Sequence, residues 1–413
     1  MATHQPVQVW RARFVVPVTG PPLEDGAVAV RAGVVTAVGP ARDVSGDRVE
    51  DLGDVALVPG FVNAHTHFEL SHLAGRIPTD RGFVPWVEGL ARVLRAGRDV
   101  GPSVGEAVRS AIRQSLAAGV TTVGDITRRP ELVRPMLAEG AIRVVSFGEV
   151  LGIGRLRKKL PAKLAAAVDS SAVTHRLRIG ISPHAPYTVE PDGLRLCAHQ
   201  ARESAMPLCI HVAETQDEEA FTTAGGGPLR EYLERLGVWD GAAACPGLRP
   251  VELLSACGLL GPQTLLAHAN YVSDDDIRRI AEAGASVAYC PRTHAAFGHP
   301  PHRFRDMLAA GIHVCVGTDS LASNPSLSVL DELRHLHRVH SDIPAATLLA
   351  MGTCHGARAL GWGSQVGSLE PGKDADFTVV PLAPDGPGEP VANMLASTLP
   401  PRATYVLGER VAL

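Results

Sequence analysis

Apolar runs of strand length recur eight times through the middle of the chain. Each is separated from the next by a stretch long enough for a helix. The runs span 62–67, 120–125, 142–149, 177–184, 208–214, 264–268, 286–290 and 312–319, with helical stretches such as 103–118, 194–205 and 274–283 between them. Parallel strands need a long crossover, and a helix is the usual one. Eight strands alternating with helices over ~260 residues therefore predict a (β/α)8 TIM-like barrel. An open doubly wound sheet is the competing α/β architecture, but no Gly-x-Gly-x-x-Gly follows an early strand. The two ends read differently. Residues 1–57 and 365–413 are short β-branched runs bounded by Gly and Pro. Neither end can bury much alone, so one small composite β-sandwich module built from both termini is expected, with 58–364 as the barrel domain.

The polar residues fall where such a barrel places its chemistry, at the C-terminal ends of the strands. The first run ends His65-Thr66-His67, and residues i and i+2 on a strand share a face. Both imidazoles can then enter the barrel mouth and ligate one divalent metal. Alone, His-x-His is a weak signal. Four further strand ends strengthen it: Ser182-Pro-His184, His211-Val-Ala-Glu214, Leu266-Ala-His268 and Gly317-Thr-Asp319. A buried cluster of imidazoles and carboxylates needs partners to offset its desolvation, and a metal supplies them.

Composition narrows the class. The chain has 413 residues, 45% of them hydrophobic and 20% charged, which is ordinary for a globular protein with a large core. The net charge of −4 gives no reason to expect a nucleic acid, and no 18-residue apolar run suggests a membrane span. Seven scattered Cys with no Cys-x-x-Cys fit reduced thiols. The first ten residues lack a basic and then apolar leader. A cytoplasmic enzyme with a small-molecule substrate is expected, with a homodimer left open.

The motifs Pro59-Gly-Phe-Val-Asn-Ala-His65-Thr-His67, Ser182-Pro-His184-Ala-Pro-Tyr, His211-Val-Ala-Glu214-Thr, Ala267-His268-Ala-Asn and Gly317-Thr-Asp319-Ser together resemble the amidohydrolase superfamily, in its metal-dependent deaminase and chlorohydrolase-like branch. The resemblance covers nearly the whole chain. It implies metal ligands at His65, His67, His211 and Asp319, a proton-shuttling Glu214, and His268 beside the attacking water. Two-metal members of the superfamily generally carry a carboxylated Lys on a barrel strand. The four Lys here, at 158, 159, 163 and 373, are not at strand ends, so one ion is expected, zinc first and iron as the alternative. The implied reaction is hydrolytic deamination of a purine- or pyrimidine-like base or nucleoside. Metal-activated water attacks the ring carbon, Asp319 takes or orients its proton, and Glu214 protonates the ring nitrogen and then the leaving amine. Hydrolytic dechlorination or amine removal from a triazine is the alternative, and a non-catalytic scaffold the remote one. Glu214 stands three residues after His211, an offset that faces outward in a regular strand, so it is expected on the first turn beyond it.

The substrate contacts expected are His184, Trp86 as a cap on a flat ring, Arg292 and His294 after the seventh strand, and Glu149 at the end of the third. Glu149 is also the one carboxylate that could bring a second ion. Related nucleoside deaminases hold ribose with an acidic pair just before the corresponding Trp; Val84-Pro85 stand there, leaving Glu69 or Glu88 as substitutes. Asp125 is a further candidate for the pocket. The cluster His294, His299 and His302 is read as loop polarity rather than a second metal site, and Asp331 and Glu332 as lining a solvated helix.

Overall fold

A computed structural model describes residues 5–96, 104–243 and 245–412. Two eight-stranded sheets organise them. The first is built from the two ends of the chain. The N-terminal part contributes β1 (Gln8–Val15), β2 (Leu23–Arg31), β3 (Val34–Pro40), β4 (Arg48–Asp51) and β5 (Val55–Pro59). The second sheet follows with β6 (Phe61–Thr66), β7 (Val120–Thr127), β8 (Arg143–Val150), β9 (Leu177–Pro183), β10 (Leu208–Val212), β11 (Thr264–His268), β12 (Ser286–Tyr289) and β13 (Val314–Val316). The chain then returns to the first sheet through β14 (Phe377–Pro381), β15 (Ala403–Val406) and β16 (Glu409–Arg410).

In the first sheet the order is β16-β15-β14-β5-β1-β2-β3, with β4 alongside β1. The two termini meet at the antiparallel β5–β14 pair, where Thr378 faces Val58. Trp10, Phe377 and Tyr405 form an aromatic cluster there, with ring centroids 4.5–5.4 Å apart. This sheet joins the barrel through Arg143, which opens β8 and whose Nη2 lies 2.6 Å from Asp374 and 3.4 Å from Asp376.

The second sheet runs β6 to β13 in strict sequence order, all parallel. It closes on itself: the backbone N–H groups of Thr318 and Asp319 donate to the His65 carbonyl at 3.1 and 3.0 Å. Only glycine permits that closure at 317, because a Cβ there would lie 2.9 Å from the Cβ and the carbonyl oxygen of His65. Every residue of β7 and β8 is buried, as expected of parallel strands covered on both faces. The expected strand positions agree with these to within a few residues. The eighth is shorter, three residues, because the chain leaves the ladder at Gly317 and turns across the end of β6. The expected helix at 103–118 is observed as Val104–Ala117, residue 103 lying outside the described residues. That at 194–205 starts earlier, at Pro191, where proline suits the first helical turn. That at Asp274–Ala283 is set by a Ser273/Asp276 capping box and a left-handed Gly284.

Candidate metal and active site

Four strand ends deliver side chains to one point at the barrel mouth. His65 and His67 come from the end of β6, His211 from β10, His268 from β11 and Asp319 from the turn after β13. The Nε2 atoms of His67 and His211 are 3.2 Å apart. Asp319 Oδ1 is 3.4 Å from His67 Nε2 and 3.8 Å from His65 Nε2. Two triads, His65/His67/His211 and His65/His268/Asp319, each keep their ligating atoms within 4.8 Å of one another. They share His65, so they surround a single centre.

The donor set fits a divalent cation. His65 Nε2 and His268 Nε2 are buried without a hydrogen-bond partner. His211 Nδ1 donates to the His184 carbonyl at 2.9 Å, which leaves the Nε2 lone pair turned to the centre. Burial and the neighbouring imidazoles hold His65, His67 and His268 well below the usual histidine range, and His211 down to about 3, so all four are neutral donors. Burial pushes the Asp319 carboxyl up to about 6, against the Ser323 hydroxyl that donates to its Oδ2 at 2.6 Å. Unpaired imidazole nitrogens around a buried carboxylate are costly unless a cation completes them.

Glu214 is not among the converging ligand atoms but stands beside them, its Oε1 3.5 Å from His268 Nε2. Burial, and then the charge of Asp319, push its carboxyl well above the usual range. It reaches this position because Ala213 adopts a left-handed conformation, φ +50°, that ends the strand's alternation. The expected turn beyond β10 is therefore present. The same device recurs at His268 (φ +71°), Ala269 (φ +51°) and Asp319 (φ +57°). Strained backbone of this kind survives where surrounding contacts over-determine it. His302 Nε2 bonding the His268 carbonyl at 2.8 Å is one such contact.

A cavity of about 320 Å³ opens above the centre. Its inner end carries His67, His184, His211, Glu214, His268 and Asp319, flanked by Glu149 and Arg128. Its outer walls are apolar and aromatic, with Phe83, Trp86, Leu90, Tyr187, Tyr232 and Val238 among them. Of the candidate substrate contacts, His184, Trp86 and Glu149 line the cavity. Trp86 is fixed by an Nε1–H bond to the Ala322 carbonyl at 3.2 Å and by Phe297, whose ring centroid is 5.4 Å away. Glu149 faces Arg128 at 3.7 Å and lies outside both metal triads.

Other expectations are corrected. Arg292 and His294 are not part of the lining. Immediately after β12 the chain turns into the helix Pro291–Ala296, and Arg292 fastens that turn to the next element. Its backbone N–H donates to Glu332 and its guanidinium to Ser326. His294 packs at ring-centroid distances of 5.4 Å from Tyr289 and 5.7 Å from His302. Glu332 is fully buried rather than solvated, accepting also from Asn324 at 2.7 Å. Asp125 is buried behind the site, accepting from the Phe68 N–H at 2.8 Å. Glu69 and Glu88 do not line the cavity: Glu69 accepts from the Arg128 backbone, and Glu88 pairs with Arg235. His294 and His302, read as surface loop polarity, are buried instead. Sequence reasoning missed Arg128, Tyr232, Glu218 and Ser323, and quoted Tyr187 only as the end of the Ser182–Tyr187 motif, without a role. Only Glu218 had a legible signal, the Thr215-x-x-Glu218 spelling of a capping box.

Known proteins resemble the chain over nearly its full length. A 5-methylthioadenosine/S-adenosylhomocysteine deaminase of Nitratidesulfovibrio vulgaris is 32% identical over 380 residues, covering 87% of this chain and 80% of its own. A zinc-bound adenosine deaminase from Xanthomonas campestris superposes with a TM-score of 0.84 at 26% identity, covering 98% of this chain and 92% of its own. Helicobacter pylori aminofutalosine deaminase in complex with methylthio-coformycin does so with a TM-score of 0.85 at 25% identity, covering 98% and 100%. The model of the amidohydrolase family matches residues 56–411, and with the strand-end constellation above it, the chain belongs to that family.

Proposed function

We propose that the protein is a metal-dependent deaminase of a nucleoside whose 5′ position carries an apolar substituent. The observation that carries this is the convergence of Glu214, His268 and Asp319 at the closed end of an apolar-walled cavity. His65, His67, His211 and Asp319 would hold one divalent metal, zinc first. Bound there, such an ion supplies Lewis acidity and lowers the pKa of water toward neutrality. The chain's own residues do the rest. Asp319, its Oδ2 held by Ser323, presents Oδ1 to accept the proton of the attacking water. The unpartnered Nε2 of neutral His268 orients that water. Glu214, whose carboxyl burial and then the charge of Asp319 push well above the usual range, donates its proton to the ring nitrogen next to the attacked carbon. It then relays to the amine the proton that Asp319 took from the water, and as ammonia departs and the carbonyl forms, the hydroxyl proton returns to Glu214.

One ion rather than two is supported by the lysines. Lys163 donates to the Arg128 carbonyl and Lys373 to Gly363 and Ser368 in the C-terminal return, and no Lys lines the cavity. The substrate class is supported by the walls: a flat purine fits against the aromatic side chains, and the outer apolar surface suits a thioether or aryl group better than a zwitterion. Glu149 and Arg128, which line the cavity 3.7 Å apart, would meet ribose hydroxyls. No helix among the described residues is long and apolar enough to cross a membrane.

The test is ammonia release by zinc-loaded protein from 5-methylthioadenosine, S-adenosylhomocysteine, adenosine, free bases and a chlorotriazine. Turnover of 5-methylthioadenosine above the others supports the reading. Chloride release from the triazine with no ammonia from any nucleoside would overturn it.

A further inference from the structure

Glu218 carries a buried carboxyl group that the reaction as derived does not use. It is 0% exposed, and its two oxygens accept from consecutive backbone N–H groups: Ala213 N to Oε1 at 3.0 Å and Glu214 N to Oε2 at 3.1 Å. No cation pairs with it among the described ion pairs. The local sequence Thr215-Gln-Asp-Glu218 spells a capping box, in which the glutamate would reach back to the N–H of the capping residue, Thr215. That is not what it does. The Thr215 hydroxyl accepts from Asp217, while the Glu218 carboxylate bypasses Thr215 and clasps the two peptides upstream.

Those two peptides flank the left-handed Ala213, φ +50°. An alanine in this conformation sets its Cβ against the following carbonyl and persists only if neighbours hold it. Here the N–H groups are held by Glu218, the Ala213 carbonyl accepts from Tyr271 N at 3.0 Å, and the Glu214 carbonyl accepts from Asn270 Nδ2 at 3.0 Å. The turn so fixed is what swings Glu214 from the outer face of β10 to within 3.5 Å of His268. We propose that Glu218 is a positioning residue for proton transfer, acting solely through Glu214 by clamping the turn that aims it. The proposal rests on the role assigned to Glu214 above.

The alternative is that Glu218 merely begins its helix, and a double-mutant cycle separates the two. Zinc-loaded wild type, Glu218→Gln, Glu214→Gln and the double variant are assayed on 5-methylthioadenosine, with metal content and melting temperature measured on each. Gln keeps the volume of Glu218 but offers an oxygen to only one N–H and sets an amide N–H against the other. A misaimed catalytic group typically costs up to ~10²-fold. The expected result is a ~10–10²-fold fall in kcat, KM within about threefold, and metal retained. In the Glu214→Gln background the same change should cost under about twofold, because the group it aims is gone. An equal loss in both backgrounds, or lowered melting temperature with unchanged kcat, would overturn the proposal. Glu218→Asp, one methylene too short to span both N–H groups, is held to the same thresholds if the Gln variant does not fold. Near-normal turnover by Glu214→Gln would sink the role of Glu214 itself. An inactive Glu214→Gln with a fully active Glu218→Gln sinks only the positioning inference.

Discussion

Arg143→Met tests what holds the terminal sheet to the barrel. The Arg143 side chain is 2% exposed, and its cation lies 4.6 Å from the Trp362 ring centroid as well as against Asp374 and Asp376. The two carboxylates are not equivalent. Asp374 is 25% exposed and can rehydrate when the cation is removed, whereas Asp376 is 1% exposed and cannot. The cost is therefore that of one uncompensated buried carboxylate, about 3–5 kcal/mol. The lost contact with Trp362 falls within that range, since methionine refills part of the space. For a chain of 413 residues the melting midpoint should fall by roughly 3–6 °C. The deficit has a predictable pH dependence. Burial already raises the Asp376 pKa, and Arg143 opposes the rise, so removing the cation raises it further. A carboxyl with a raised folded pKa contributes stability that is fully present below its unfolded pKa and is lost as pH rises through the folded value. The gap between variant and wild type should accordingly be small near pH 4 and widen toward pH 8. The assay is thermal and urea unfolding of zinc-loaded protein across that range, with Arg143→Met/Asp376→Asn as the companion. Asn removes the charge while its carbonyl oxygen can still accept the Leu407 N–H that Asp376 Oδ1 now takes at 2.8 Å, so most of the loss should return. A deficit under about 1 kcal/mol, or one independent of pH, would refute the reasoning.

Glu214→Gln should lower turnover by ~10²–10⁴-fold while keeping the metal, since its proton cannot be replaced by an amide; near-normal kcat would point to a leaving group that departs unprotonated. Elemental analysis should find close to one equivalent of divalent metal, lost on replacing His65, His67 or His211; two tightly held equivalents would make Glu149 a ligand. Glu149→Gln should raise KM for nucleosides by roughly tenfold and leave free bases unaffected, as expected for one charge-assisted hydrogen bond to a ribose hydroxyl; an equal effect on both would detach Glu149 from the sugar.

The barrel and the candidate metal-binding cluster at its mouth were legible from sequence because both rest on local rules. The strand–helix alternation is written in hydrophobic periodicity. His65-Thr-His67 puts two imidazoles on one face whatever surrounds them. Parallel barrels send all strand ends to one rim, so His211, His268 and Asp319 could be joined to them without knowing any distance. The residues between the ligands were a different matter. Arg292 and His294 follow a barrel strand just as Glu149 and His184 end theirs. Yet the helix that starts at Pro291 carries the first two away from the cavity, and only packing against the helix Val329–Val339 decides that. Glu332 looked like one face of a solvated helix, but it is buried beneath Asn324 and the turn after β12. Arg128, Tyr187 and Tyr232 come to the cavity from three separate segments with no shared spacing. Periodicity and motif spacing are properties of neighbours along the chain and can be read from it directly. Which side chain fills a cavity wall, and which carboxylate clamps a strained turn, are properties of neighbours in space, settled only when the loops pack on the barrel rim.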